Sequence, residues 1–119
     1  MEDKELTVGC TYYRLTFADR DLTMPGVEPL VYLGEASLEN GRSMLAFQDT
    51  VSYVHFGSAL GQPEQNDEIV VHLIERTEIG SGVLDVDAVA QEVSAAALRA
   101  DNLGRPVLPV LRKGWKSAS

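Results

Sequence analysis

The dipeptide Asn40-Gly41 is the feature that most constrains the fold of this chain, because it favours positive φ angles at both central positions of a type I′ turn. Apolar runs lie on either side of it, at residues 30–33 and 44–47. Two apolar runs joined by such a turn are typical of a β-hairpin. The sequence therefore predicts a β-hairpin in the first half of the chain.

Two further segments have the composition of strands. Residues 11–17 alternate, with Tyr13, Leu15 and Phe17 on one face, which predicts a strand whose other face is partly in water. Turn-forming residues follow and predict a connection to the hairpin. Residues 69–74 are apolar on both faces and few in number, so they predict an interior strand.

The segment that follows the hairpin permits two structures. Asp49 or Thr50 can cap a short helix, and Gly61 and Pro63 can end it. The β-branched and aromatic side chains of residues 51–56 favour a strand instead. We expect a helix, because the cap and stop signals agree with each other.

A second helix has clearer signals at both ends. Asp85 is a good N-cap, and Leu84 and Val89 occupy the two positions of a hydrophobic staple. Asn102 and Gly104 end the helix. Its buried face is expected to carry the stripe Val86, Val89, Ala90, Val93 and Ala97.

Together these elements predict the order β-β-β-α-β-α. An α+β domain follows, with an antiparallel sheet of four to five strands and two helices mainly on one face. Residues 1–104 are expected to form this single domain, since 119 residues suit one hydrophobic core. Residues 105–119 are expected to form a basic, extended C-terminal arm.

Charge is unevenly distributed along the chain. Residues 1–98 carry 17 acidic and 5 basic side chains, a net charge of −12, whereas residues 99–119 have a net charge of +4. The acidic body repels phosphate backbones and anionic lipids, so we expect neither nucleic acid nor a membrane as a partner. With Cys10 as the single cysteine and no signal-peptide pattern in residues 1–5, we expect a cytoplasmic protein.

Gly80-Ser81-Gly82 stands between a predicted strand and a predicted helix, where a dinucleotide-binding fingerprint would lie. The third glycine of the fingerprint is replaced by Asp85, and Asp87 adds a second carboxylate where a pyrophosphate would need free amide groups. The segment is therefore interpreted as a loop that leads into a helix cap.

The sequence gives no pattern for metal ligation or catalysis. His55, His72 and Cys10 could supply three ligands, but their spacing matches no zinc motif. We expect no metal, no cofactor and no catalytic residues, and His72 is expected to be packed or at an interface.

Two functional hypotheses remain. The first is a non-catalytic acidic protein-binding module of the inhibitor, immunity or adaptor type, which also associates as a homodimer. The second is a small enzyme or ligand-binding domain with a pocket between sheet and helices that uses His55 or His72. A histidine within hydrogen-bond reach of Cys10 or a carboxylate in a pocket would favour the second.

The C-terminal arm supplies the candidate interaction residues. Basic side chains surround aliphatic ones and the single tryptophan there, and burial of large apolar groups is favourable. We expect the arm to be docked through these residues: Val107, Leu108, Arg112, Lys113 and Trp115.

Overall fold

The computed structural model describes residues 6–62, 64 and 66–104. Its strands are β1 (Thr11–Phe17), β2 (Pro25–Ser37), β3 (Ser43–Asp49), β4 (Val71–Ile74) and β5 (Val83–Leu84), and its helices are α1 (Thr50–Phe56) and α2 (Val86–Asn102). The strands form one antiparallel sheet in the order β4-β3-β2-β1-β5. The predicted α+β class is confirmed, and the two-residue β5 is an addition that the sequence did not indicate. No helix within the described residues is long and apolar enough to cross a membrane.

The predicted hairpin is confirmed as β2 and β3, but its turn differs from the predicted one. Gly41 has a positive φ of 83°, whereas Asn40 is not among the residues with positive φ. The Leu38 carbonyl accepts a hydrogen bond from the Gly41 amide, and the Leu38 amide donates to the Arg42 carbonyl. This is the longer hairpin loop in which a type I turn is followed by a left-handed glycine. In this loop the Asn40 side chain accepts a hydrogen bond from the Arg42 amide.

The sheet is curled. Residues of β1 and of β4 line one cleft although two strands separate them in the sheet, and Arg14 Nη1 of β1 lies 3.4 Å from His72 Nδ1 of β4. The face on which Arg14 and His72 meet is therefore concave. It also holds the core cluster, which consists of Tyr12, Leu30, Tyr32, Leu45, Phe47, Ile74, Ile79 and Val83.

Aromatic rings fill the centre of this core. The rings of Tyr12 and Phe47 pack edge to face with centroids 6.2 Å apart, and Tyr32 lies 5.2 Å from Phe47. The Tyr12 hydroxyl accepts a hydrogen bond from the Thr7 amide. Burial raises the pKa of Tyr32, and the nearby Glu35 carboxylate raises it further. Tyr12 and Tyr32 are thus core residues of the curled sheet.

Helix α2 packs on the convex face. The guanidinium group of Arg99 lies 5.7 Å from the Phe17 ring, and Arg99 Nε donates to the Leu22 carbonyl. The predicted cap is confirmed, since Asp85 accepts from the Ala88 amide. The predicted buried stripe is largely wrong. Val89 is buried, but Val86, Ala90, Val93 and Ala97 are exposed, and Ala96 is the other fully buried residue of the helix.

The segment after β3 is a helix, as expected, and Asp49 is its N-cap. Helix α1 ends at Phe56, earlier than Gly61, because Gly57 adopts a positive φ of 78°. A separate 3₁₀ turn follows at Ala59–Gly61.

The predicted interior strand is an edge strand. β4 pairs only with β3 among the described strands, and it begins at Val71 rather than at residue 69. Apolar composition on both faces suggested burial, but an edge strand with exposed apolar side chains has the same composition. The arm at 105–119 lies outside the described residues, so its docking and the domain boundary after Gly104 stay predictions.

Candidate functional site

Gln48 fixes the segment around α1 to the convex face of the sheet. Its side chain is fully buried. Its Nε2 atom donates to Ser52 Oγ and to the Gly57 carbonyl, each at 3.0 Å, and its Oε1 atom accepts from the Ala59 amide at 2.8 Å. One side chain therefore holds both α1 and the start of the 3₁₀ turn. The sequence signal was a lone glutamine at the end of an apolar run.

Asp49 joins α1 to the start of β4. Its carboxylate accepts hydrogen bonds from the Ser52 amide at 2.9 Å and from the Val70 amide at 3.3 Å, while its own amide donates to the Val70 carbonyl. Burial alone would raise the pKa of this carboxyl group. The hydrogen bonds from the Ser52 hydroxyl and from the amides of Ser52 and Val70 outweigh that effect and lower the pKa below its usual value.

These two anchors leave an apolar strip of surface around β4. Val71 and Leu73, on the convex face of β4, are 41% and 46% exposed, and the preceding Val70 is 48% exposed. Leu60 of the 3₁₀ turn is 69% exposed. We call these four residues, Leu60, Val70, Val71 and Leu73, the β4 surface.

A shallow cleft of about 540 Å³ separates the 3₁₀ turn from β4. Ala59, Ile69 and Val71 supply its apolar part, and Gln62 and Asp67 are among its polar lining residues. The β4 surface thus borders a cleft and also carries exposed apolar side chains.

A second cleft, which we call the edge cleft, follows the outer edge of β4. It has a volume of about 330 Å³. Because the sheet curls, Leu73, Ile74 and Glu75 form one wall and Arg14–Thr16 of β1 lie opposite. Within the described part of the chain, no hydrogen bond is made by the outer backbone edge of residues 71–74. An unpaired strand edge of this kind can accept a further strand.

The sequence around β4 is acidic. Residues 64–78 contain five acidic side chains and one basic one, a net charge of −4. Glu75 is ion-paired with Arg42 and Arg76 with Glu35, all four with about half of their side-chain surface exposed. Glu78 also lines the edge cleft. The apolar strip is therefore bordered by negative charge.

The two histidines lie apart. His72 is flanked by Arg14 at 3.4 Å and by Glu28, whose Oε2 lies 3.8 Å from His72 Nε2. That second distance exceeds hydrogen-bond reach. His55 is exposed on α1, with the ring of Phe56 as its neighbour. Among the described residues, no three His, Cys, Asp or Glu side chains are grouped as metal ligands would be.

The glycines near residue 80 shape a turn. Gly80 has a positive φ of 95°, and the Gly82 carbonyl accepts from the Leu15 amide at 2.8 Å. The left-handed Gly80, together with the Asp85 cap, supports the loop-and-cap interpretation of Gly80-Ser81-Gly82.

The candidate interaction residues of the arm, Val107, Leu108, Arg112, Lys113 and Trp115, lie outside the described residues. Sequence reasoning missed the β4 surface, although it singled out residues 69–74 as unusually apolar. Comparisons with protein-family models, with curated proteins and with solved structures find no match to this chain.

Proposed function

We propose that this chain is a non-catalytic acidic protein-binding module, of the inhibitor, immunity or adaptor type, that binds its partner through the β4 surface. The observation that carries the proposal is the unpaired edge of β4 with Val70, Val71 and Leu73 each more than two-fifths exposed. An unpaired edge offers backbone hydrogen bonds to an extended segment, and neighbouring apolar side chains add affinity.

Charge supports a particular kind of partner. The acidic residues that border the β4 surface favour a partner segment that combines apolar and basic side chains. Exposed ion pairs contribute little to affinity, so the apolar contacts and strand pairing supply most of it, while charge speeds the encounter.

The test is affinity capture from the native lysate with the intact protein and two matched variants. Val71→Asp places a charge in the β4 surface, and Val86→Asp makes the same change on α2, where Val86 is 59% exposed. We expect mass spectrometry to find proteins captured by the wild type and by Val86→Asp that Val71→Asp no longer captures. Their affinity for purified wild type should then fall at least tenfold with Val71→Asp. Identical captured sets for all three proteins would contradict the proposal.

A further inference from the structure

We infer that the edge cleft is the docking site of this chain's own C-terminal segment, residues 105–119, in the same molecule. The inference rests on the proposed function, because it names an internal ligand for the same edge of β4. An outside partner would then have to displace this segment to reach the edge.

The position where the described chain ends supports this occupant. Arg99 holds the last turns of α2 against Phe17 and the Leu22 carbonyl, at the end of β1. Thr16 of the same strand lines the edge cleft. Gly104 follows Arg99 by five residues, and the fifteen residues beyond it span about 50 Å when extended, so the segment is long enough to reach the cleft.

The charges are complementary. Residues 105–119 carry four basic side chains and no acidic ones, a net charge of +4, whereas residues 1–104 have a net charge of −12. Glu75 and Glu78 line the edge cleft together with Arg14, so acidic side chains outnumber basic ones in its lining. Attraction between the basic segment and the acidic domain raises the local concentration of the segment at its surface.

The sequence of the segment suits an added edge strand. Proline has no backbone N–H to donate, so it is tolerated in an edge strand only where its nitrogen faces away from the neighbouring strand. With Pro109 facing outward, the amides of Leu108, Val110 and Arg112 face β4. The aliphatic side chains then fall on both faces of the added strand, next to Leu73 and Ile74.

Trp115 allows a direct test in the full-length protein, because it is the only tryptophan. Its emission should lie at shorter wavelength than that of free N-acetyltryptophanamide, and acrylamide should quench it less. Leu73→Lys adds a charge of the segment's own sign to the cleft wall, so it should shift the emission to longer wavelength and increase quenching. Leu98→Lys, the same change at a 65% exposed position on α2, should leave both unchanged. Solvent-like emission in the wild type, or equal behaviour of the two variants, would overturn the inference.

Disulfide trapping tests the location independently. In a Cys10→Ser background, the pair Leu73→Cys and Val110→Cys should cross-link within one chain on mild oxidation, whereas Leu98→Cys with Val110→Cys should not. A cross-link between two chains, or none, would refute docking in the same molecule. These readouts need no outside partner. A failed capture experiment with a positive tryptophan result would therefore reject the proposed function alone, and the reverse would reject only the internal ligand.

Discussion

Asp49 and Gln48 are adjacent in sequence but act on different parts of the fold. Asp49 lies at the point where β3 becomes α1 and holds Val70 beside it. Gln48 points to the convex face and ties down α1 and the 3₁₀ turn. The position of the β4 surface relative to α1 depends on both residues.

Replacing Asp49 with Ala removes the N-cap, and we expect a loss of about 1 kcal/mol of stability at neutral pH. The pKa of Asp49 is lower in the folded state than in the unfolded state, so its ionised form stabilises the fold. This contribution is fully present above the unfolded pKa of about 3.9 and is lost as the pH falls through the folded pKa. The contribution of the ionised carboxylate is measured by urea denaturation of the wild type and of the uncharged variant Asp49→Asn at several pH values between 3 and 7. The stability difference between them should shrink toward acid pH, and a constant difference would contradict the assignment.

Replacing Gln48 with Leu keeps the volume similar but leaves the part-buried Gly57 carbonyl and Ala59 amide without their side-chain partner. Each such group costs about 1–3 kcal/mol, so we expect a loss of at least about 2 kcal/mol. Gln62→Leu is the matched control, since the Phe56 carbonyl to which Gln62 donates lies in an exposed setting. Chemical denaturation should show a much smaller loss for Gln62→Leu. Equal losses would mean that the Gln48 hydrogen bonds have no special role.

At the level of elements, α2 shows how a helix can pack on a different stripe from the most apolar one. Residues 86, 90, 93 and 97 form an apolar row that remains exposed, while the buried side is built from Val89 and small residues such as Ala96. Alanines on the buried side allow the helix to approach the sheet closely.

This packing predicts opposite results for two neighbouring alanines. Ala96→Leu adds three carbons to a site with 1% exposure, so it should cost about 1–3 kcal/mol through overpacking. Ala97→Leu adds the same atoms on the exposed row and should change stability by less than about 0.5 kcal/mol. Thermal unfolding compares the stability of the two variants. A larger loss for Ala97→Leu than for Ala96→Leu would contradict this packing and support the buried stripe predicted from the sequence.

For the whole molecule, residues 30–33 offer no apolar surface to a second copy. They are all buried within one chain because the sheet curls over one face and α2 packs on the other. Exposed apolar side chains remain elsewhere, among them Val54 of α1 at 81% and Leu98 of α2 at 65%.

Self-association therefore stays a prediction, now based on these exposed side chains. We expect light scattering at tens of micromolar to return about twice the chain mass of 13.0 kDa. A second measurement with Val54→Glu should return the single-chain mass if α1 contributes to the contact. A mass of 13 kDa for the wild type would contradict the dimer.

Local chemistry by itself determined the hairpin, both helix caps and the α+β class. Asn40-Gly41, Asp49 and Asp85 act through groups within a few residues of themselves, so their effects can be read from adjacent sequence. The predicted type I′ turn was wrong, because a left-handed glycine serves both hairpin loops. The apolar character of residues 69–74 was also visible, and it marks the candidate site.

Only the tertiary structure decided which apolar surfaces are covered. The sheet order places β4 at an edge, and the curl of the sheet brings Arg14 beside His72 although 58 residues separate them. These features depend on long-range strand pairing and on the twist of the whole sheet, which no local pattern encodes. The apolar residues 69–74 could equally belong to an interior strand or to an exposed edge strand. Because they lie at an edge, their side chains form the candidate binding surface of this protein.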